Sequence, residues 1–502
     1  MNPEVALPIL IPLLSGAFSI LFGRSIRIQR WISVVGSFAL LLSTLWLFHS
    51  TREAGFVVMQ LGGWAAPFGI TLVADLLSAT MAVITGVIAL VLAVYSLPSI
   101  PRGHEKFGYY PLFHLLLAGV AGSFLTGDIF NLFVWFEVML LASFALMTLG
   151  GERAQMEGSI KYVTLNLFSS ALFLSAIGLL YGTVGTLNMA DIAWKLSQVE
   201  HSGMVNVLAM LFLVSFGIKA AAFPLFFWLP ASYHTPQLAV TALFAGLLTK
   251  VGAYAIYRIF TLIFIGDTDY THTILVWVAV LTMITGVLGA AAQFEFRRIL
   301  SFHIVSQIGY ILLGVALYTP LAILAGIYYT VHNIVAKTNL FLISGITYRL
   351  LGSYDLKKLG GVYKERPGLS ILFLISALGL AGLPPLSGFF AKFLLVKSGI
   401  EISAWGATVA ALAVGFMTLY SMMKIWAEVF WKAAPEGVDT ARLEGKVEDK
   451  QLWIMLLPVV ALAAMTVLLG VFAQPAFELA GDAAEQLLNP HLYIEAVLGE
   501  RP

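Results

Sequence analysis

Six ionisable side chains stand inside stretches that are otherwise apolar: Glu137, Lys219, Lys250, Lys337, Lys392 and Lys424. If those stretches cross a bilayer, each charge costs roughly 3 kcal/mol even on the most lenient insertion scale, so a chain that keeps them is expected to use them to move protons or ions. Lysine suits proton transfer because its pKa shifts readily on burial and its ammonium carries rotatable donors; arginine stays protonated. Glu137 follows Asp128, a residue suited to a helix N-cap, by nine positions, which puts it roughly 13 Å into the helix and near the midplane. Pairing Glu137 with Lys219 keeps both charged, whereas separation drives the lysine toward releasing its proton. The competing reading is a static buried ion pair.

Lys219, Lys250 and Lys392 are expected to form a relay across the bilayer centre. Lys250 and Lys424 have an alternative, snorkelling to an interface, which is stronger for Lys424 because it lies about two turns from Lys432. His332 and Lys337 are five apart, about 140° around a regular helix, so they share a face only if the helix bulges. His303, Ser306 and Gln307 fall at i, i+3 and i+4 and make a better aligned polar stripe, although His303 also reads as a core histidine. His234, between Leu229 and Pro236, is a candidate proton-uptake group, and Asp75 and His114 read as interfacial. Sodium is a hard cation that needs several oxygen ligands, and this set offers one central carboxylate among cations. Protons fit it better, so sodium is expected to pass through partner subunits.

Positioning these groups requires membrane-spanning elements, and composition supplies them: of 502 residues 60% are hydrophobic and 11% charged, far from a soluble domain. The net charge of +1 gives no reason to expect nucleic acid; protons and lipids are the expected contacts. With no cysteine, disulfides and cysteine-bound iron–sulfur clusters are excluded, and the nine histidines lack metal-site spacing, so no cofactor or metal is expected. The chain then has no catalytic chemistry of its own and counts as a translocase only inside a redox complex. Glu4 precedes the first apolar segment and Arg24, Arg27 and Arg30 follow it, the reverse of a secretory signal, so that segment reads as a retained helix.

Apolar runs long enough to cross a bilayer fall near 4–22, 31–49, 72–96, 109–126, 128–149, 158–182, 205–228, 237–262, 273–293, 298–318, 321–348, 369–399, 402–431 and 452–474. The expectation is an all-α polytopic membrane protein with about 14 transmembrane helices. Alternate loops carry most of the Arg and Lys, including Arg297, Arg298, Lys446 and Lys450, so that side is expected to be cytoplasmic. A multi-pass chain in the plasma membrane with both termini outside follows. Segments seven and twelve look broken, the first by Pro224 and Pro230 after Lys219, the second by Gly382, Pro384, Pro385 and Gly388 before Lys392. Those lysines lie five segments apart. An odd number of crossings inverts the second copy, so helices 4–8 and 9–13 are expected to be two inverted five-helix repeats. The divisions are 1–108 for helices 1–3, 109–262 and 273–431 for the repeats, and 432–502 for a cytoplasmic loop, helix 14 and tail.

Three stretches carry a resemblance: FEVMLLASF around Glu137, GIKAAAFPLFFWLPASYHTPQLAVTALFAGLLTKVG from Gly217 to Gly252, and GLPPLSGFFAKF ending at Phe393. Together they resemble the antiporter-like membrane-subunit family, which includes Mrp-type multisubunit sodium/proton antiporters and the proton-pumping subunits of respiratory complex I. The resemblance covers most of the chain. It implies fourteen helices, the two inverted repeats, and proton-transfer roles for Glu137, Lys219, Lys250 and Lys392. His332 and Lys337 resemble the family's polar eleventh helix; the carry-over to His303 and Lys424 is looser. Length and the lysine at 392 favour the Mrp branch, with other antiporter subunits as partners. The alternatives are a pump subunit of complex I or of a membrane-bound hydrogenase, and a structural membrane scaffold.

Overall fold

In the computed structural model, which describes residues 2–198, 203–436, 440–445, 449 and 451–499, nearly all regular structure is helical. The major helices are α1 (Leu7–Leu21), α2 (Ile26–Ala54), α3 (Leu76–Ser99), α4 (Tyr109–Leu125), α5 (Ile129–Thr148), α6 (Arg153–Val184) and α7 (Gly203–Ala220). They continue as α8 (Leu238–Leu262), α9 (Thr268–Ala292), α10 (Phe296–Ala316), α11 (Pro320–Leu351), a divided α12 (Pro367–Ala381 and Ser387–Glu401), α13 (Trp405–Trp431) and α14 (Leu452–Val471). Eleven helices are long and apolar enough to cross a membrane, and α1, α4 and the first half of α12 are shorter apolar helices, among the described residues. Lys446 and Lys450 lie outside the described residues.

Local chemistry explains the boundaries. Asp128, Asp75 and Thr319 each accept a backbone N–H of the helix they start, and Gly185 and Gly352 end α6 and α11 at φ 67° and 73°, where a Cβ would be strained. The expected breaks are present. α7 stops at Ala220 and helix resumes only at Trp228–Ser232, with Pro224 between; α12 is interrupted by Gly382, at φ 92°, and the two prolines after it. Phe244–Leu248 within α8 and Trp426–Trp431 at the end of α13 wind as π-turns, which periodicity gives no means to foresee.

Burial sorts the helices into centre and rim. Within the most apolar window every residue of α8 is buried, as are 94% for α10 and 89% for α11, against 39% for α2, α6 and α14. The polar central segments are therefore enclosed by apolar ones, as a solvent of hydrocarbon requires. The structure departs from the sequence pattern at two places. The apolar run from residue 72 does not start as a helix: Thr71–Ala74 is a strand paired antiparallel with Val57–Gln60, and α3 begins only after the Asp75 cap. The tail beyond α14 forms two further helices, α15 (Ala473–Leu488) and α16 (Pro490–Leu498), whose polar faces hid them from a search for apolar spans.

Candidate functional site

Glu137 on α5 and Lys219 at the last turn of α7 do not touch directly; Ser170 on α6 stands between them. The Lys219 ammonium donates to Ser170 Oγ at 3.0 Å and to the Asn166 carbonyl at 3.4 Å, and the same hydroxyl donates a short hydrogen bond to Glu137 Oε1. One hydroxyl thus accepts from the cation and donates to the carboxylate. The Phe136 ring centroid lies 5.7 Å from the ammonium. Ser170 escapes a search for charges, yet a signal exists: Asn166, Ser169 and Ser170 fall at i, i+3 and i+4 inside an apolar span and are all buried.

A cavity of about 20 Å³, room for about one water, adjoins Lys219 and reaches Leu248 and Gly252 on α8. Gly252 is required there, because a Cβ would stand 2.5 Å from the Ala220 nitrogen. Next along α8, the fully buried Lys250 donates to the Ala245 carbonyl of the π-turn at 2.6 Å. Lys337 on α11, equally buried, donates to the Leu300 carbonyl of α10 at 3.3 Å. Around these two lysines Thr249 Oγ1, Thr338 Oγ1 and Asn339 Oδ1 are buried with no hydrogen-bond partner among the described residues. Groups of this kind mark polar ground that water can satisfy.

His332 faces away from Lys337, as five-residue spacing on an unbulged helix requires: its Nδ1 meets Ser387 Oγ at 2.7 Å, at the first residue of the second half of α12. Lys392 stands on the second half of α12 but folds back, donating to the Leu380 and Ala381 carbonyls at 2.9 and 3.1 Å. Those carbonyls end the first half-helix and carry its partial negative charge, a favourable seat for a cation. The Tyr310 ring lies 4.5 Å from the ammonium, and a mostly apolar cavity of about 300 Å³ opens beside it toward the exposed Phe393 and Phe416.

The remaining candidates are placed more unevenly. His303 shares a 2.7 Å hydrogen bond with Ser421 of α13; Ser306 accepts from Gln307 at 3.5 Å, and Tyr329 donates a short bond to Gln307 Oε1. Lys424 donates to the carbonyls of Ala291 and Gln293 at 2.7 and 2.6 Å, capping the C-terminus of α9. His234 lies between the short helix Trp228–Ser232 and α8, with Nδ1 2.9 Å from the Pro230 carbonyl. Burial first, then Arg298 and Arg297, push its pKa down to about 4, so it is neutral at physiological pH. The adjacent Thr235 and Pro236 line a polar vestibule of about 700 Å³ with Arg297, Arg349 and Arg442. Asp75 and His114 are both buried.

Broken helices, buried lysines and one bridged carboxylate define a polytopic membrane protein built around an internal ionisable axis. The comparisons agree with that class. The family model for the membrane subunits of NADH:quinone oxidoreductase and Mrp antiporters matches residues 126–418. A relative in Alkalihalophilus pseudofirmus, the D-type subunit of a Na+/H+ antiporter, is 48% identical over 501 residues, covering 100% of both chains. A chain in the structure of the Mrp complex from Dietzia sp. superposes with a TM-score of 0.91 at 34% identity, covering 99% of this chain and 100% of that one. A chain of respiratory complex I from Thermus thermophilus gives 0.80 at 26% identity, covering 96% and 99%. The chain belongs to the NADH:quinone oxidoreductase/Mrp antiporter membrane-subunit family. Within it the chain is more similar to the Mrp branch, and there to the D-type subunit, than to complex I.

Proposed function

We propose that this chain is the proton-translocating subunit of a multisubunit monovalent cation (sodium)/proton antiporter. The observation that carries this reading is the Lys219–Ser170–Glu137 hydrogen-bonded chain at the break of α7. A hydroxyl that accepts from an ammonium and donates to a carboxylate passes a proton by exchanging covalent and hydrogen bonds, without a net change of its own. From there the proton moves by way of Lys250 and Lys337 to His332 and Lys392 at the second break, with water bridging the unpartnered polar atoms. Helices α4–α8 and α9–α13 act as two inverted repeats, each with one broken helix and a lysine at the break, in support of alternating access from opposite sides.

The basic loops face the cytoplasm, both termini lie outside, and the membrane is the plasma membrane. The relatives' assemblies support other antiporter subunits as partners, through which sodium passes, with lipids around the rim. The test is exchange in inverted vesicles with Glu137→Ala and Lys219→Ala, measured per assembled complex. Loss of exchange with normal complex levels is expected; unchanged exchange overturns the proposal and leaves the scaffold reading. The likeness to complex I keeps a redox-coupled pump as the second reading, and flavin or iron–sulfur proteins purifying with this subunit would select it.

A further inference from the structure

On α8, Lys250, Tyr254 and Arg258 fall at i, i+4 and i+8, one face of a helix, climbing about 12 Å from the centre toward the end opposite the Arg297–Arg349 vestibule. At that end the Arg258 guanidinium is held 2.6 Å from Asp75 Oδ2 and 3.1 Å from the Tyr254 hydroxyl. It lies between the rings of Tyr254 and Tyr493, 5.5 and 5.2 Å from their centroids. The Tyr254 hydroxyl donates to the Phe124 carbonyl at 2.7 Å, and a cavity of about 10 Å³ separates its ring from Tyr257 and Thr330. Asp75 and Arg258 are 1% and 4% exposed, so the pair is out of water.

We infer that Asp75, latched by Arg258, is a proton outlet for the Lys250 limb of the relay, opening on the charge-poor side. The inference rests on the proposed proton relay. Among the described residues Lys250, Lys337 and Lys392 hydrogen-bond only to backbone carbonyls, which accept hydrogen bonds but hold no proton. A lysine that discharges needs a group that can take the proton and give it up again, and Asp75 is the carboxylate at the end of this polar face. Its Oδ1 accepts the Ser78 N–H at 2.8 Å, and its Oδ2 faces Arg258.

The step is one proton moved. The Lys250 ammonium becomes an amine, its proton crosses on water by way of the small cavity beside Tyr254, Asp75 Oδ2 becomes a carboxyl while the guanidinium turns to Tyr254, and the carboxyl then ionises to the aqueous side and re-pairs. Arginine does not give up its own proton, so the latch resets without competing for it. The C-terminal helices form the cover. Tyr493 of α16 lies over Arg258, and Gln486 of α15 joins the Gly55 carbonyl to the Leu76 N–H, both at 2.9 Å. Besides Arg258, the ionisable groups facing Asp75 are Tyr254 and Tyr493, with Asp128 beside Tyr493.

Asp75→Asn combined with Arg258→Gln removes the pair without stranding one buried charge. Exchange per assembled complex is expected to fall roughly 100-fold, the low end for loss of a required acid–base group, while Asp75→Glu retains most of it. A staple with no proton role predicts full exchange in the neutral double variant, and that result overturns the outlet. Should the double variant fail to assemble, the wild-type complex gives the answer. Dicyclohexylcarbodiimide attacks protonated carboxyls in apolar surroundings, and site-resolved mass spectrometry under a proton gradient is expected to find Asp75 modified. Modification of Glu137 with Asp75 untouched overturns the inference. Lys250→Ala separates the two ideas: if it transports normally the relay itself is wrong, and if it fails while the neutral pair transports, only the outlet is.

Discussion

Ser170 shows how little separates a static ion pair from a proton path. A direct Glu137–Lys219 contact would hold both charges by Coulomb attraction, but the hydroxyl between them lets a proton travel while the heavy atoms stay in place. Ser170→Ala removes hydrogen bonds to two charged groups and is therefore expected to lower exchange at least about tenfold, with normal assembly; Ser170→Thr retains the hydroxyl and most of the activity. Exchange in inverted vesicles, normalised to complex on immunoblots, checks both. At the other break, Lys392 meets two carbonyls that would welcome any cation. If it must discharge, Lys392→Arg fails almost as completely as Lys392→Ala, since a guanidinium holds its proton. Full activity with arginine would mean that only a fixed positive charge is needed there.

Elements matter here chiefly through their interruptions. A continuous α7 or α12 would bury its carbonyls in its own hydrogen bonds, whereas each break ends a half-helix inside the membrane, and at the second break the negative end of that half-helix meets Lys392. The two lysines differ: Lys219 stands on the half before its break and bonds to α6, whereas Lys392 stands on the half after its break and folds back. Close packing then fixes the distance from α7 to α8. Gly252→Ala would place a Cβ 2.9 Å from the Lys219 carbonyl carbon, so the helices must part and the Lys219–Lys250 spacing grows. Exchange is expected to fall severalfold and the melting temperature of the purified complex to drop. Gly178→Ala on α6, where nothing lies within 4 Å, should leave both unchanged.

At the scale of the whole molecule, the division of labour follows from charge. Four lysines near the centre repel sodium, so the isolated chain in liposomes is expected to show no sodium-coupled proton movement; robust exchange, abolished by Lys250→Ala, would refute that. Much of this was legible in the sequence. Hydrocarbon tolerates so few charges that Glu137, Lys219, Lys250, Lys337 and Lys392 announced themselves, and proline's missing donor located both breaks at Pro224 and Pro384. Other features are products of packing across helices distant in sequence. Ser170 becomes a bridge only because α6 passes between α5 and α7, and Asp75, read as interfacial, meets Arg258 only because the start of α3 and the last turns of α8 come together beside Tyr493 of α16. Lys424 shared the composition signal of the relay lysines, yet its ammonium caps α9. Local sequence determined which groups had to be sheltered from lipid, because that cost falls on each residue separately; which of them touch was decided by tertiary structure, because a hydrogen bond depends on the positions of two chain segments at once.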